Sequence, residues 1–141
     1  MEAFQGAVLG IKLRHLPAGV RNGADIATLY RERLLPFVKD DLLEIPEEPP
    51  RSEGVYHLYV VLIEDRDRVR RELERAGIST GLHYPVRLHL QKALANLGKK
   101  KGDFPVTERI SARCLSLPIF PEMREEQVDT VVGTLAKALQ A

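Results

Sequence analysis

The densest concentration of chemistry-bearing side chains lies in one short string, Gly81-Leu82-His83-Tyr84-Pro85-Val86-Arg87-Leu88-His89. His83 and His89 can donate or accept protons near neutral pH, and Tyr84 offers a hydroxyl on an apolar body. Arg87 adds a fixed positive fork. Such groups suit a hydroxyl-rich ligand such as a sugar. Taken singly, each residue also has a plainer reading. His83 and His89 fit surface or hydrogen-bonded structural histidines, Tyr84 a core-edge residue and Arg87 a solvated charge. A metal site is remote, because no carboxylate or further histidine joins the two histidines at ligand spacing. Elsewhere there is no glycine-rich phosphate loop, nucleophile elbow or paired metal motif. Cys114 reads as a buried, inert thiol, and Lys99-Lys100-Lys101 as a solvated loop tip. Tyr56, His57 and Tyr59 read as strand packing.

The elements that would position this cluster follow from hydropathy periods. Ile78, Thr80, Leu82 and Tyr84 alternate with Ser79, Gly81 and His83, which predicts a strand ending at Pro85. The run Val55–Ile63 is apolar at almost every position and predicts a central strand. Between them, Asp65 is placed to cap a helix whose Val69, Leu73 and Ala76 share a face and which Gly77 stops. Leu88–Leu97 suggests a turn of helix. Asp103-Phe104-Pro105 reads as a helix entry, with Val106, Ile110 and Cys114 as its buried stripe. Leu115-Ser116-Leu117 is a short strand cut off by Pro118. Val128, Val131, Val132, Leu135 and Leu139 mark a last amphipathic helix.

At the other end, Met1 to Leu16 carries Phe4, Val8, Ile11 and His15 on one stripe and Leu9, Leu13 and Leu16 on another. A helix apolar on two sides packs against something on two sides. Pro17-Ala18-Gly19 is expected to end it, with a second helix from about Ala24 to Leu35. The prolines and acids between Pro36 and Gly54 predict an extended surface connector. The resulting division is a helical segment 1–36, a connector 37–54 and a small α+β domain 55–141, with about three strands covered by helices on one face.

The 141 residues leave room for one core. A hydrophobic share of 44% with 29% charged residues is ordinary for a globular chain. No apolar run approaches the roughly 18 residues of a membrane-spanning helix, and the first residues lack the basic region of a secretory signal. Net charge is +1 with signs interspersed, so nothing favours nucleic acid. A single cysteine excludes an internal disulfide and suits a reducing cytoplasm.

Five strings in order extend this reading to a family. Met1-Glu2-Ala3-Phe4-Gln5-Gly6-Ala7-Val8-Leu9-Gly10-Ile11-Lys12-Leu13-Arg14-His15-Leu16 resembles the helix that follows the Asn-x-Arg segment of DegT/StrS-type sugar aminotransferases. Tyr56-His57-Leu58-Tyr59-Val60 resembles the first strand of that family's C-terminal domain. Gly77-Ile78-Ser79-Thr80-Gly81-Leu82-His83-Tyr84-Pro85-Val86, continued by Leu88-His89-Leu90-Gln91, is similar to its Gly-Ile-x-Thr-Gly-x-His-Tyr-Pro signature. Gly102-Asp103-Phe104-Pro105-Val106-Thr107-Glu108-Arg109 and Leu115-Ser116-Leu117-Pro118-Ile119-Phe120-Pro121-Glu122 complete the match.

The resemblance implies the small C-terminal domain of a fold-type I enzyme that uses pyridoxal phosphate. Such enzymes pass an amino group, usually from glutamate, to a keto-sugar on a nucleotide. The cofactor is the electron sink, held by a large-domain lysine in a dimer whose subunits share each active site. That large-domain apparatus is not expected in this chain. Its seven lysines (Lys12, Lys39, Lys92, Lys99, Lys100, Lys101 and Lys137) match none of the family's cofactor-lysine context. The resemblance makes His83, Tyr84, His89 and Arg87 sugar-nucleotide contacts in a homodimer, with no stable cofactor binding and no catalytic residue in this chain alone. The alternative is a non-catalytic module that pairs with itself or with a separate large-domain partner. Three positions depart from the family pattern. Pro17 to Gly23 replaces a usually continuous helical stretch, Arg87 stands where proline is common, and Lys99 where an aromatic residue is frequent.

Overall fold

The computed structural model describes residues 3–140. Its centre is a two-stranded antiparallel sheet of β1 (Tyr59–Leu62) and β2 (Cys114–Leu117), in the register Tyr59↔Leu117, Val60↔Ser116, Val61↔Leu115 and Leu62↔Cys114. One further residue pairs at each edge, Glu44 with Leu62 and Gly81 with Ser116. The expected third strand over Ile78–Tyr84 is therefore reduced to one bridge, and the strand over Val55–Ile63 is shorter than its apolar run. Flanking stretches carry strand-like patterns but find no neighbour to bond along their length, and a ladder requires one.

Alternation divides the sheet into two faces. Tyr59, Val61, Ile63, Leu115 and Leu117 enter the main core, with α2 (Leu16–Lys39), α3 (Arg66–Arg75) and α5 (Glu125–Gln140) supplying most of the rest and Leu43, Ile78 and Met123 coming from the segments between elements. Helix α5 is the keystone, packing on both α2 and α3. Val128, Val131, Val132, Leu135 and Ala138 are its buried side chains, so four of the five expected positions hold; Leu139 is partly buried against the same core. Tyr30 of α2 stacks on Tyr59 of β1 with ring centroids 4.8 Å apart and donates its hydroxyl to the Pro118 carbonyl at 2.8 Å. Burial pushes the Tyr59 hydroxyl up to about 12.

The N-terminal elements depart most from expectation. Helix α1 covers Ala3–Leu13; the expected start at Met1 and Glu2 lies outside the described residues. After a two-residue turn at Arg14–His15, α2 begins at Leu16 and runs unbroken to Lys39. Pro17 opens α2 rather than ending α1, because a first-turn proline lacks only a donor that has no helical partner anyway. The Pro17–Gly23 departure from the family pattern is thus accommodated within a continuous helix. Pro36 sits inside the last turn, and the expected connector begins only after it. That connector does not simply cross the surface: Leu43 is buried and Glu44 bonds to β1.

Two expected caps are also corrected. The Asp65 carboxylate takes Arg68 rather than a backbone N–H of α3, and Gly77, at φ 77°, does stop that helix. Asp103 accepts from the Lys100 N–H, so it closes the preceding loop, and α4 (Pro105–Arg113) starts from Phe104. In α4 the expected buried stripe is exposed at Val106 and Ile110, and only Cys114, already in β2, is buried. The turn of helix expected over Leu88–Leu97 is present as two short 3-10 helices, Leu88–Leu90 and Lys92–Leu97.

Candidate functional site

The second face of the sheet carries the site. Ser116 lies between Leu115 and Leu117 on β2, yet by alternation it faces away from their core. It is only 5% exposed although its side chain is polar. Its hydroxyl meets His83 Nδ1 at 2.8 Å. The backbone beneath is held too: Gly81 N–H donates to the Ser116 carbonyl at 3.0 Å and Ser116 N–H to the Gly81 carbonyl at 2.9 Å. The chain then turns so that the His83 ring lies over Gly81. A β-carbon at Gly81 would stand 2.5 Å from His83 Cε1, so only glycine admits this ring position.

Around His83 is a hollow of about 260 Å³, lined by His57, Ser79, Thr80, Gly81, Ser116 and Ile119 among others. Tyr84 is not part of that lining; it is 74% exposed and edge-on to the His83 ring at a centroid distance of 5.7 Å. The core-edge reading of Tyr84 is therefore wrong. A tyrosine this exposed keeps both its ring face and its hydroxyl open to a ligand.

Arg87 and His89 are placed differently. Both engage Glu108 of α4: the Arg87 guanidinium donates to its carbonyl at 3.3 Å, and His89 Nε2 meets its carboxylate at 3.1 Å. Arg87 is half-buried, not a solvated charge. The His89 side chain is 8% exposed and its ring packs on Phe104 at 4.8 Å. Glu108 also accepts the Gly102 N–H at 2.8 Å, and that bond, with the one from His89, holds its carboxyl below the ordinary range. Ser111, one turn on, donates to the Tyr84 carbonyl at 3.1 Å. Helix α4 thereby clamps both ends of the loop that carries Tyr84, Arg87 and His89.

The structure thus puts His83 in the wall of the hollow with Tyr84 exposed beside it, and ties Arg87 and His89 to α4 through Glu108. From sequence, no site role attaches to Ser116, Glu108 or Ser111, and His57 reads as strand packing, whereas His57 is exposed, precedes β1 and lines the hollow. Ser116 was detectable as a hydroxyl inside a leucine-flanked strand. Glu108 was detectable as a first-turn acid able to reach back to an upstream N–H, as in a capping box. Ser111 and His57 left no local signal.

A second open region has a different character. Helix α1 buries no residue, and a groove of about 900 Å³ runs between Leu9, Leu13 and Leu16 on one side and Asn22 and Pro121 on the other. Among the described residues, no three histidine, cysteine or acidic side chains converge as metal ligands, and no helix is long and apolar enough to cross a membrane. All seven lysines are exposed.

Comparison with known proteins supplies the family context. Residues 1–136 match the profile described as the DegT/DnrJ/EryC1/StrS aminotransferase family. The chain is 39% identical over 136 residues to the erythromycin biosynthesis sensory transduction protein EryC1 of Saccharopolyspora erythraea, covering 96% of this chain and 36% of that protein. It is 33% identical to a dTDP-3-amino-3,6-dideoxy-alpha-D-galactopyranose transaminase of Aneurinibacillus thermoaerophilus, covering 94% and 35%. Among solved structures, DesV of S. venezuelae in complex with a ketimine intermediate superposes with a TM-score of 0.87 at 32% identity, over 97% of this chain and 36% of that one. NtdA of Bacillus subtilis, solved with bound cofactor PMP, gives a TM-score of 0.75 at 26% identity, over 87% and 29%. The chain spans little more than a third of the length of the curated relatives it matches.

Proposed function

Because the chain belongs to the DegT/DnrJ/EryC1/StrS aminotransferase family, we propose that it supplies the small-domain wall of a sugar-nucleotide aminotransferase. In that enzyme an amino group passes from glutamate to a keto-sugar carried on a nucleotide. The observation that carries this reading is His83 in the wall of an open hollow with the exposed Tyr84 ring beside it, on a loop clamped from behind by α4. His83 offers a ring N–H and Tyr84 a hydroxyl on an exposed ring face, which suits the mixed polar and apolar surface of a sugar nucleotide. Arg87 and His89 act on this wall indirectly, by tying the loop that carries His83 and Tyr84 to Glu108.

Pyridoxal phosphate, when bound, supplies the electron sink for such a transfer. The residues of this chain do not by themselves fit it. A lysine that holds this cofactor needs a desolvated site that keeps its amine neutral. Every lysine here is solvent-exposed, and none lines the hollow at His83. The chain alone is accordingly a binding and shaping element in the cytoplasm, and catalysis requires a lysine-bearing large domain. The uncovered α1 supports association, because an apolar helix face left in water is normally an interface; two copies pairing through it form a homodimer.

Mixing the purified chain with pyridoxal phosphate and reducing with borohydride tests the central point. No defined lysine should become labelled, and no glutamate-dependent amination of a keto-sugar nucleotide should follow. Labelling of one particular lysine together with turnover would replace this reading with that of a self-sufficient enzyme.

A further inference from the structure

Resting on the reading of His83 as a substrate contact, we infer that Ser116 is a positioning residue. It holds the His83 imidazole in one tautomer, so that His83 meets an acceptor oxygen of the nucleotide sugar with an N–H already in place. The direction of the Ser116–His83 bond carries the argument. Ser116 is buried, and among the described residues its hydroxyl has no hydrogen-bond partner except His83 Nδ1, 2.8 Å away. If His83 donated, the serine O–H would have no acceptor among the described residues and could turn only toward the hollow, giving up the one protein partner within reach. If Ser116 donates, its O–H and the Nδ1 lone pair are both satisfied, and the single ring proton must then sit on Nε2. His83 therefore offers Nε2–H, a donor, at the hollow.

Three further features serve the same placement. The reciprocal backbone bonds between Gly81 and Ser116 fix the spacing of the two side chains. The absence of a side chain at Gly81 gives the ring its bed. The neighbouring groups of the hollow, Ser79 and Thr80, are hydroxyls able to accept or donate as a sugar demands. A serine amid leucines on a central strand adds nothing to the core it faces away from; its use is the ring it holds. A donor whose orientation is set before the ligand arrives loses less freedom on binding.

The proton's position can be read directly in the full chain labelled with 15N, from long-range proton–nitrogen correlations of His83 at a pH well above the ordinary histidine range. The expected result is a single neutral species with Nδ1 unprotonated. Ser116→Ala should give a mixture of tautomers, Ser116→Thr should restore the single species, and Gly81→Ala should lose it by displacing the ring. A proton on Nδ1 in the unmodified chain, or a pattern unchanged in Ser116→Ala, overturns the assignment. Circular dichroism identifies any variant that fails to fold, and the unmodified chain and Ser116→Thr then decide the matter between them. A separate titration with thymidine diphosphate tests the reading beneath. His83 resonances should move, with apparent affinity weakened roughly two- to tenfold in Ser116→Ala, the ordinary worth of one neutral hydrogen bond. If the tautomer is as expected and the nucleotide leaves His83 unmoved, Ser116 still positions the ring and it is the substrate contact that falls.

Discussion

Helices α1 and α5 both carry apolar residues at helical spacing, on two sides of α1 and on one side of α5, and they meet opposite fates. In α5, Val128 and Leu135 are completely buried between α2, α3 and the sheet. In α1, Phe4 is 78% exposed and Ile11 62% exposed, and no residue is buried. Periodic apolar residues therefore say that a helix will be covered without saying by what. Helix α5 finds its cover within 141 residues. Helix α1 reaches past that core, and none of its residues is buried. Helix α4 shows an intermediate case, with Val106 and Ile110 exposed while its polar residues Glu108 and Ser111 hold the loop that carries Tyr84, Arg87 and His89.

Three perturbations sharpen this contrast, the first the most drastic. Leu135→Ala removes a fully buried side chain from the keystone helix and should cost about 2–5 kcal/mol of folding stability, by transfer and cavity effects together. A urea midpoint unchanged by this substitution would mean that α5 is not the keystone. Next, Phe4→Ser combined with Ile11→Ser should leave stability within about 0.5 kcal/mol, since both side chains are already solvated. The same pair should weaken self-association tenfold or more, about 1.4 kcal/mol per tenfold. Sedimentation of the unmodified chain as a clean monomer at tens of micromolar, the order of ordinary weak-dimer affinities, would remove the interface role of α1.

The smallest effect concerns α4. Glu108 is held below its ordinary value of 4.5 by the Gly102 N–H and by His89. A carboxyl lowered on folding contributes stability above its ordinary value and loses it as pH falls through the lowered one. Acidification below about 4.5 should therefore loosen the loop ahead of α4, seen as faster amide exchange at Gly102 and near His89. In Glu108→Gln this acid dependence should largely disappear, while exchange within α5 stays slow in both. Equal loosening of α5 in the unmodified protein would show that the loop has no separate stability.

Much of the architecture was legible beforehand for a physical reason. Helices α3 and α5 and strand β2 announce themselves through short-range periods and through stops such as Gly77 and Pro118, which act within a few residues of where they stand. The five family strings are equally local. Boundaries failed where a residue has two uses: Pro17 can end one helix or open the next, and only the continuous packing of α2 through Ile26, Ala27, Tyr30 and Leu34 decides.

What the sequence determined by itself, then, was the inventory: an apolar first helix, a buried last one, and a histidine–tyrosine string on a strand edge. Which of those groups work together was decided by tertiary structure. His83 and Ser116 are 33 residues apart, and His89 and Glu108 are 19 apart. A hydrogen bond senses only atoms within about 3.5 Å, and no local pattern reports where a returning chain will bring its other half. The return of β2 beside Gly81 places a hydroxyl under one histidine and leaves its ring at the hollow. The start of α4 places a carboxylate on the other and ties it to the loop.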